Sequence, residues 1–154
     1  MFVPIPRSIR FAMIPVLCAA LFAIIPAPSL AQSPAKCTLT VKVTGIRSVE
    51  GNILVTLRSG PDTIVQGKVV DIDAKTMTAQ AVFAGVPAGA YGVSAIHDEN
   101  KNGKLDFNDV GMPIEGYGHS NNPAKRMGPP NFDETRFTLD PSGASIEINL
   151  IYWP

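Results

Sequence analysis

The 154-residue chain has little of what most active or metal sites are built from: two cysteines, two histidines and one tryptophan. Cys18 falls inside an apolar N-terminal stretch, so in the remainder Cys37 stands alone. An internal disulfide is thereby excluded, and the hydrophobic core has to hold the fold unaided. Cys37 has no motif around it and reads as a small apolar residue of a strand. Ser120 lacks the turn of a nucleophile elbow. The separation of His97 and His119 matches no zinc spacing. There is no internal repeat, phosphate loop, coiled coil or lipid-anchor signal. Nor is there an excess of positive charge, with 13 Lys and Arg against 13 Asp and Glu. Without a basic patch, nucleic acid is not an expected partner.

The first stretch of the chain has the layout of a cleavable signal peptide. Arg7 and Arg10 form a positive start, Phe11 to Ile25 is apolar, Pro26 and Pro28 break the run, and Ser29-Leu30-Ala31 puts small residues where a signal peptidase reads. The apolar run is shorter than the roughly 20 residues of a spanning helix and contains Pro15, which argues against a membrane anchor. Leu17 before Cys18 argues against a lipoprotein. Residues 1–31 are therefore expected to be removed, leaving residues 32–154 as one exported domain, periplasmic or secreted, with no membrane span. Loss of Arg7 and Arg10 leaves 11 basic residues against 13 acidic ones, a slightly acidic domain.

Hydrophobic alternation has period two nearly throughout, and no period of 3.6 is sustained, so strands are expected rather than helices. Cys37, Leu39, Val41 and Val43 share one face; so do Ile53, Val55 and Leu57. A weaker segment lies around Lys68 to Asp73. Met77, Ala79, Ala81 and Phe83 alternate up to a turn at Gly85-Val86-Pro87-Ala88-Gly89, after which Tyr91, Val93 and Ala95 continue to His97. Phe137 and Leu139 precede an Asp140-Pro141-Ser142-Gly143 turn, and Ile146, Ile148, Leu150 and Tyr152 make a last strand. About seven short strands with turn signals between them predict an all-β, antiparallel sandwich, immunoglobulin-like or transthyretin-like. Between about residues 98 and 133 neither strand nor helix is expected. So long a loop insertion in a small domain is usually functional.

The insertion opens with Asp98-Glu99-Asn100-Lys101-Asn102-Gly103-Lys104-Leu105-Asp106-Phe107-Asn108-Asp109. This resembles the calcium loop of an EF-hand, with oxygen-bearing side chains at positions one, three, five, nine and twelve and glycine at six. A hard cation needs six to eight oxygens, and alternate residues of a tight loop turn theirs inward. The expected ligands are the side chains of Asp98, Asn100, Asn102, Asp106 and Asp109 and the carbonyl of Lys104. Asp109 is shorter than the usual Glu at position twelve and is expected to give one oxygen where Glu gives two, with Glu115 supplying the difference. No amphipathic helix flanks the loop. Calcium is the expected ion, magnesium the less favoured one. The competing reading is an Asx-rich turn whose side chains cap their own backbone without metal.

The second half of the insertion contains Gly111-Met112-Pro113-Ile114-Glu115-Gly116-Tyr117-Gly118, then His119-Ser120-Asn121-Asn122-Pro123. Together with a Pro-x-Gly-x-Tyr turn at Pro87, Gly89 and Tyr91 and the His97 to Asp106 run, these residues give the chain a resemblance to DUF2141, a bacterial family of unknown function. The resemblance spans nearly all of residues 32–154. Its carriers are Pro87, Gly89, Tyr91, His97, Asp98, Asn100, Asn102, Gly103, Asp106, Gly111, Pro113, Glu115, Gly116, Tyr117, Gly118, Ser120, Asn121 and Asn122. The family pattern has Phe where this chain has His119, so the resemblance gives His119 no role. It implies export and a β-sandwich, and it brings no activity.

Other candidates have a functional and a packing reading. His97 beside Asp98 suggests an acid/base pair or a metal ligand, against a histidine that orients the loop by hydrogen bonding. Tyr117, Tyr91 and Trp153 suggest an aromatic platform for a sugar or peptide, against ordinary packing. Lys125 and Arg126 read as a solvated loop tip. Two functions follow. The first is a non-enzymatic binding or structural module of the cell envelope, with a calcium-organised loop and an envelope or extracellular ligand. The second is a metal-dependent hydrolase using His97, Asp98 and Glu115 around a metal-bound water.

Overall fold

Alternation turns into strands wherever one face of a segment can be buried. A computed structural model describes residues 35–126 and 128–154, all within one compact unit, Ser33–Pro154. The expected signal peptide and its cleavage point lie outside the described residues. Eight strands and one helical turn follow in the order β1 (Lys36–Thr44), β2 (Asn52–Arg58), β3 (Ile64–Val70), β4 (Ala79–Pro87), β5 (Gly89–Asp98), β6 (Gly116–His119), α1 (Phe132–Thr135), β7 (Phe137–Leu139) and β8 (Ala144–Asn149).

They form two sheets, one ordered β4-β1-β8 and the other β3-β2-β5-β6, with β7 also on β5. The all-β sandwich expected from the alternation is what forms. Leu39, Val41 and Val43 of β1, Ile53, Val55 and Leu57 of β2, and Ala81 and Phe83 of β4 have no exposed surface. Each buried aliphatic side chain contributes about 1.5–3 kcal/mol, which is how a core with one free, buried cysteine holds together.

Three details differ from the sequence reading. The pairing of β1 with β8 is parallel, Leu39 opposite Ala144 through Thr44 opposite Asn149, within an otherwise antiparallel fold. The weak segment lies earlier than expected, at β3, an edge strand exposed on both faces. The expected structureless insertion contains β6, paired antiparallel with β5 from Ser94 opposite His119 to His97 opposite Gly116.

The turn after β4 is a corner between sheets. Tyr91, buried, donates its hydroxyl to the Pro87 carbonyl at 2.9 Å and holds that corner. On β5 the side chains of Val93, Ala95 and His97 face the core, so Ser94, Ile96 and Asp98 belong to the outer face of the sheet. On β6 the buried Gly116 and Gly118 face inward, leaving Tyr117 and His119 outside. A Cβ at Gly116 would lie 2.3 Å from the Tyr152 ring, and one at Gly118 2.7 Å from Ile148 Cγ2. Only glycine lets β6 approach the C-terminal segment so closely. Ile151 then closes the free edge of β6, exchanging backbone hydrogen bonds with Tyr117 at 3.1 and 2.9 Å.

Candidate functional site

The end of β5 carries consecutive residues into opposite environments. His97 points into the core. Its Nε2 lies 2.8 Å from the Glu50 carbonyl, which can only accept, so Nε2 carries the proton. Nδ1 is then the acceptor for the Tyr152 hydroxyl, 2.8 Å away. Tyr152 in turn accepts the Arg47 amide at 3.3 Å. Both ring nitrogens of His97 are engaged, and the ring stands edge-on to Tyr152. Asp98, on the other face of the sheet, does not share a site with it. The trio His97, Asp98 and Glu115 is therefore not gathered around one point.

Asp98 is buried and works as a cap for the loop that follows: its Oδ1 accepts the Asn102 amide at 2.9 Å and its Oδ2 the Gly103 amide at 2.7 Å. Glu115, also buried, does the same from the far side, with Oε1 on the Glu99 amide at 3.0 Å and Oε2 on the Asp106 amide at 3.1 Å. Between these two carboxylates the side chains of Asn100 and Asn102 converge on one oxygen of Asp106, each amide nitrogen 2.6 Å from Oδ2. Lys104 places its ammonium 3.3 Å from Asp106 Oδ1. The hydrogen bonds of Asn100, first among the causes, and those of Lys104 and Asn102 hold the Asp106 carboxyl below its ordinary range. The Asn100 and Asn102 amide oxygens accept the backbone amides of Asn102 and Lys104, each at 3.0 Å.

Of the two carboxylates expected to complete the site, the structure brings Glu115 to the loop but not Asp109. Asp109 sits exposed in a turn in which Gly111 donates to the Asn108 carbonyl and Asn108 Oδ1 accepts the amides of Val110 and Met112. Asp98, Asn100, Asn102, Asp106 and Glu115 thus lie together, Lys104 borders them, and Asp109 does not join. Among the described residues no group of three His, Cys, Asp or Glu side chains forms a metal cluster. An ion here would need amide and carbonyl oxygens as well as carboxylates. One such oxygen stands ready: Asn52, opposite Asp98 in the β2–β5 ladder, has a buried Oδ1 with no hydrogen-bond partner.

The loop is anchored by residues that no motif marks. Arg47 forks onto Glu99, with Nε 2.8 Å from Oε1, reaches the Ile114 carbonyl at 3.2 Å, and lies 4.6 Å from the centre of the Tyr152 ring. The Arg47 guanidinium holds the Glu99 carboxyl below its usual range. At the other end of the insertion Ser120 accepts the Val93 amide at 2.9 Å and donates to the Thr135 carbonyl, so its hydroxyl is no free nucleophile. Asn121 and Asn122 adopt positive φ, 65° and 46°, a region asparagine tolerates better than most residues. Asn121 ties to the Glu134 and Arg136 carbonyls, and Asn122 to the backbone of Glu147 and Asn149.

Of the three aromatic residues grouped from the sequence, Tyr91 belongs to the corner and only Tyr117 and Trp153 meet. Trp153 Nε1 donates to the Tyr117 hydroxyl at 2.8 Å, and the Lys125 ammonium lies 4.0 Å from the centre of the Trp153 ring. Lys125 is no free loop tip, since it also donates to the Tyr152 carbonyl at 2.8 Å. These aromatics border a cleft of about 980 Å³ on the outer face of the five-stranded sheet, between the segment carrying Leu105 and Phe107 and the segment from Pro129 to Thr135. His119 stands in it beside Arg58. Burial, and secondarily the Arg58 charge, push its pKa down to about 4.

The sequence model of DUF2141, described as an uncharacterized protein conserved in bacteria, matches residues 41–147, and the chain belongs to that family. No curated protein and no solved structure matches it.

Proposed function

We propose that this DUF2141 member is an exported, non-enzymatic binding module of the cell envelope, periplasmic or released, whose Asp98–Asp106 loop is organised by calcium. The observation that carries this reading is the convergence of Asn100, Asn102 and Asp106 between the carboxylates of Asp98 and Glu115. These side chains bear oxygens of the type a hard cation takes, although the asparagines here turn their amide nitrogens to Asp106 and their oxygens to backbone amides, and the partnerless Asn52 oxygen belongs to the residue opposite Asp98 in the ladder. Asp98, Asn100, Asn102, Asp106 and Glu115, with the Lys104 carbonyl, would hold the ion. Bound there, calcium supplies positive charge that neutralises clustered carboxylates and ties the loop to β5. Asp98 and Glu115 meanwhile hold the loop backbone in its turn.

Export is supported by the signal-peptide layout of residues 1–31. The non-enzymatic reading is supported by the engagement of His97 and Ser120, the residues that would have served as base or nucleophile. In a compartment with millimolar calcium, a dissociation constant of about 10⁻⁴ M is enough for occupancy.

The experiment is thermal unfolding of the mature protein in chelator and in calcium. A hundredfold excess over the dissociation constant adds about 2.7 kcal/mol, which for a domain of this size raises the midpoint by roughly 8–12 °C. An unchanged midpoint at about 10 mM calcium, the hundredfold excess, would rule the ion out.

A further inference from the structure

We infer that the cleft on the outer face of the five-stranded sheet binds a neutral oligosaccharide chain, which rests on the reading of the protein as a binding module and names its ligand class. The cleft, at about 980 Å³, is at the upper end of the roughly 300–1,000 Å³ of small-ligand sites. That suits an extended chain better than a single sugar ring.

Most of its charged side chains are engaged with protein groups, and the two exceptions, Asp62 and the buried, partnerless Nε of Arg58, are opposite in sign. Arg126 forks onto Glu134, with NH1 2.8 Å from Oε1. Asp133 lies 3.5 Å from Arg136, and Arg58 donates to the Pro61 carbonyl at 3.0 Å. A strongly charged ligand therefore meets no unmatched cluster of opposite sign. His119, held uncharged down to acid pH by burial, offers one donor and one acceptor, and Ser94 adds a hydroxyl. Hydroxyl groups, which both donate and accept, match that set.

An extended peptide would be expected to add to a sheet edge, but the edge of β6 beside the cleft is closed by Ile151. The cleft offers side chains and aromatic surface rather than a backbone ladder. Trp153 lines the cleft while Lys125, which covers one face of its ring, does not. Held also by Tyr117, the indole is fixed before any ligand arrives, which lowers the ordering cost of binding. Aromatic surface of this kind stacks on the C–H faces of sugar rings, with His119 and Ser94 left for their hydroxyls.

Trp153 is the only tryptophan in the chain, so its fluorescence reports on the cleft. The calcium-loaded protein is titrated with maltohexaose, cellohexaose and chitohexaose. We expect a saturable emission change with at least one of them, and calorimetry should show about a tenfold or greater loss of affinity in Phe107→Ala and Trp153→Ala. Phe107 is 55% exposed, so its truncation leaves the fold intact even if the Trp153 variant does not fold. No saturable change with any of the three at millimolar concentration overturns the inference. So does binding that Phe107→Ala leaves unaltered, or saturable binding only of a proline-rich peptide or a sulfated polysaccharide. A calcium-dependent rise in midpoint without sugar binding sinks this inference alone, whereas sugar binding without that rise sinks only the proposed ion.

Discussion

Lowering the pH from about 7.5 to about 4.5 charges a histidine in an unfolded chain, whose ordinary pKa is near 6.5. In the folded protein His119 resists that proton, its pKa lying at about 4 because burial, and then Arg58, disfavour a second positive charge. A folded pKa below the unfolded one means that the unfolded chain binds more protons throughout that window. Stability from the neutral ring is therefore full above about pH 6.5 and is lost as the pH falls toward about 4. Integrated over the window, the loss is about 2.5 kcal/mol. The half-buried ring keeps some solvent contact, and screening reduces this to about 1.5 kcal/mol. Urea unfolding of the wild type and of His119→Gln at several pH values checks it. The carboxyls of Glu99, Asp106 and Glu134, all held low in the fold, also lose their contribution in acid, but they do so in both proteins and subtract out. The wild type should lose about 1.5 kcal/mol more than the variant between those limits. Identical pH slopes would refute the placement of His119 beside Arg58 in a partly desolvated site.

Gly116→Ala drives a methyl group into the Tyr152 ring and should cost about 3 kcal/mol in denaturant unfolding, whereas Gly67→Ala, with open space around it, should stay within about 0.5 kcal/mol of wild type. Glu115→Gln puts an amide nitrogen against a backbone donor; the expected cost is about 1–3 kcal/mol, with faster hydrogen exchange at the Glu99 and Asp106 amides as the site-specific readout. Tyr152→Phe leaves His97 Nδ1 without its donor and should destabilise by about 1–2 kcal/mol, visible in NMR as a changed His97 ring environment while the Asp98–Asp106 loop keeps its shifts.

What could be read beforehand followed burial on one face. β1 and β2 were legible because every second residue lies in the core, and β5 for the same reason as far as His97. β3 shifted because, exposed on both faces of an edge, it has no buried alternation to fix its ends. β6 was illegible for the opposite reason. Its inward positions are Gly116 and Gly118, and a strand that packs by lacking side chains resembles a turn when only residue types are read. The direction of β8 could not be read either, since alternation is the same whichever way a strand runs.

In the loop, the Asx spacing and Gly103 pointed to Asp98, Asn100, Asn102 and Asp106, which the fold brings together. Spacing alone also grouped Asp109 with Glu115, and only Glu115 lies at the loop. Glu115 reaches the loop through the fold-back in which Ile114 donates to the Asp106 carbonyl at 3.0 Å. The Arg47–Glu99 pair joins the β1–β2 connection to the insertion, and nothing local to either residue announces it.

The parallel seam between β1 and β8 has a consequence for the order in which the molecule can be built. β1 waits for its neighbour until β8 has been made, with Val43 opposite Ile148 across more than a hundred positions of chain. A polypeptide that emerges N-terminus first, from a ribosome or from a membrane pore, can pair β1 with β4 early. It must still keep one side of β1 unpaired until β8 emerges. Such distant pairing is slow to form, and an unpaired edge invites contact with other chains. The vulnerable interval thus lasts until β8 arrives, and a premature stop before Ala144 leaves the edge permanently open.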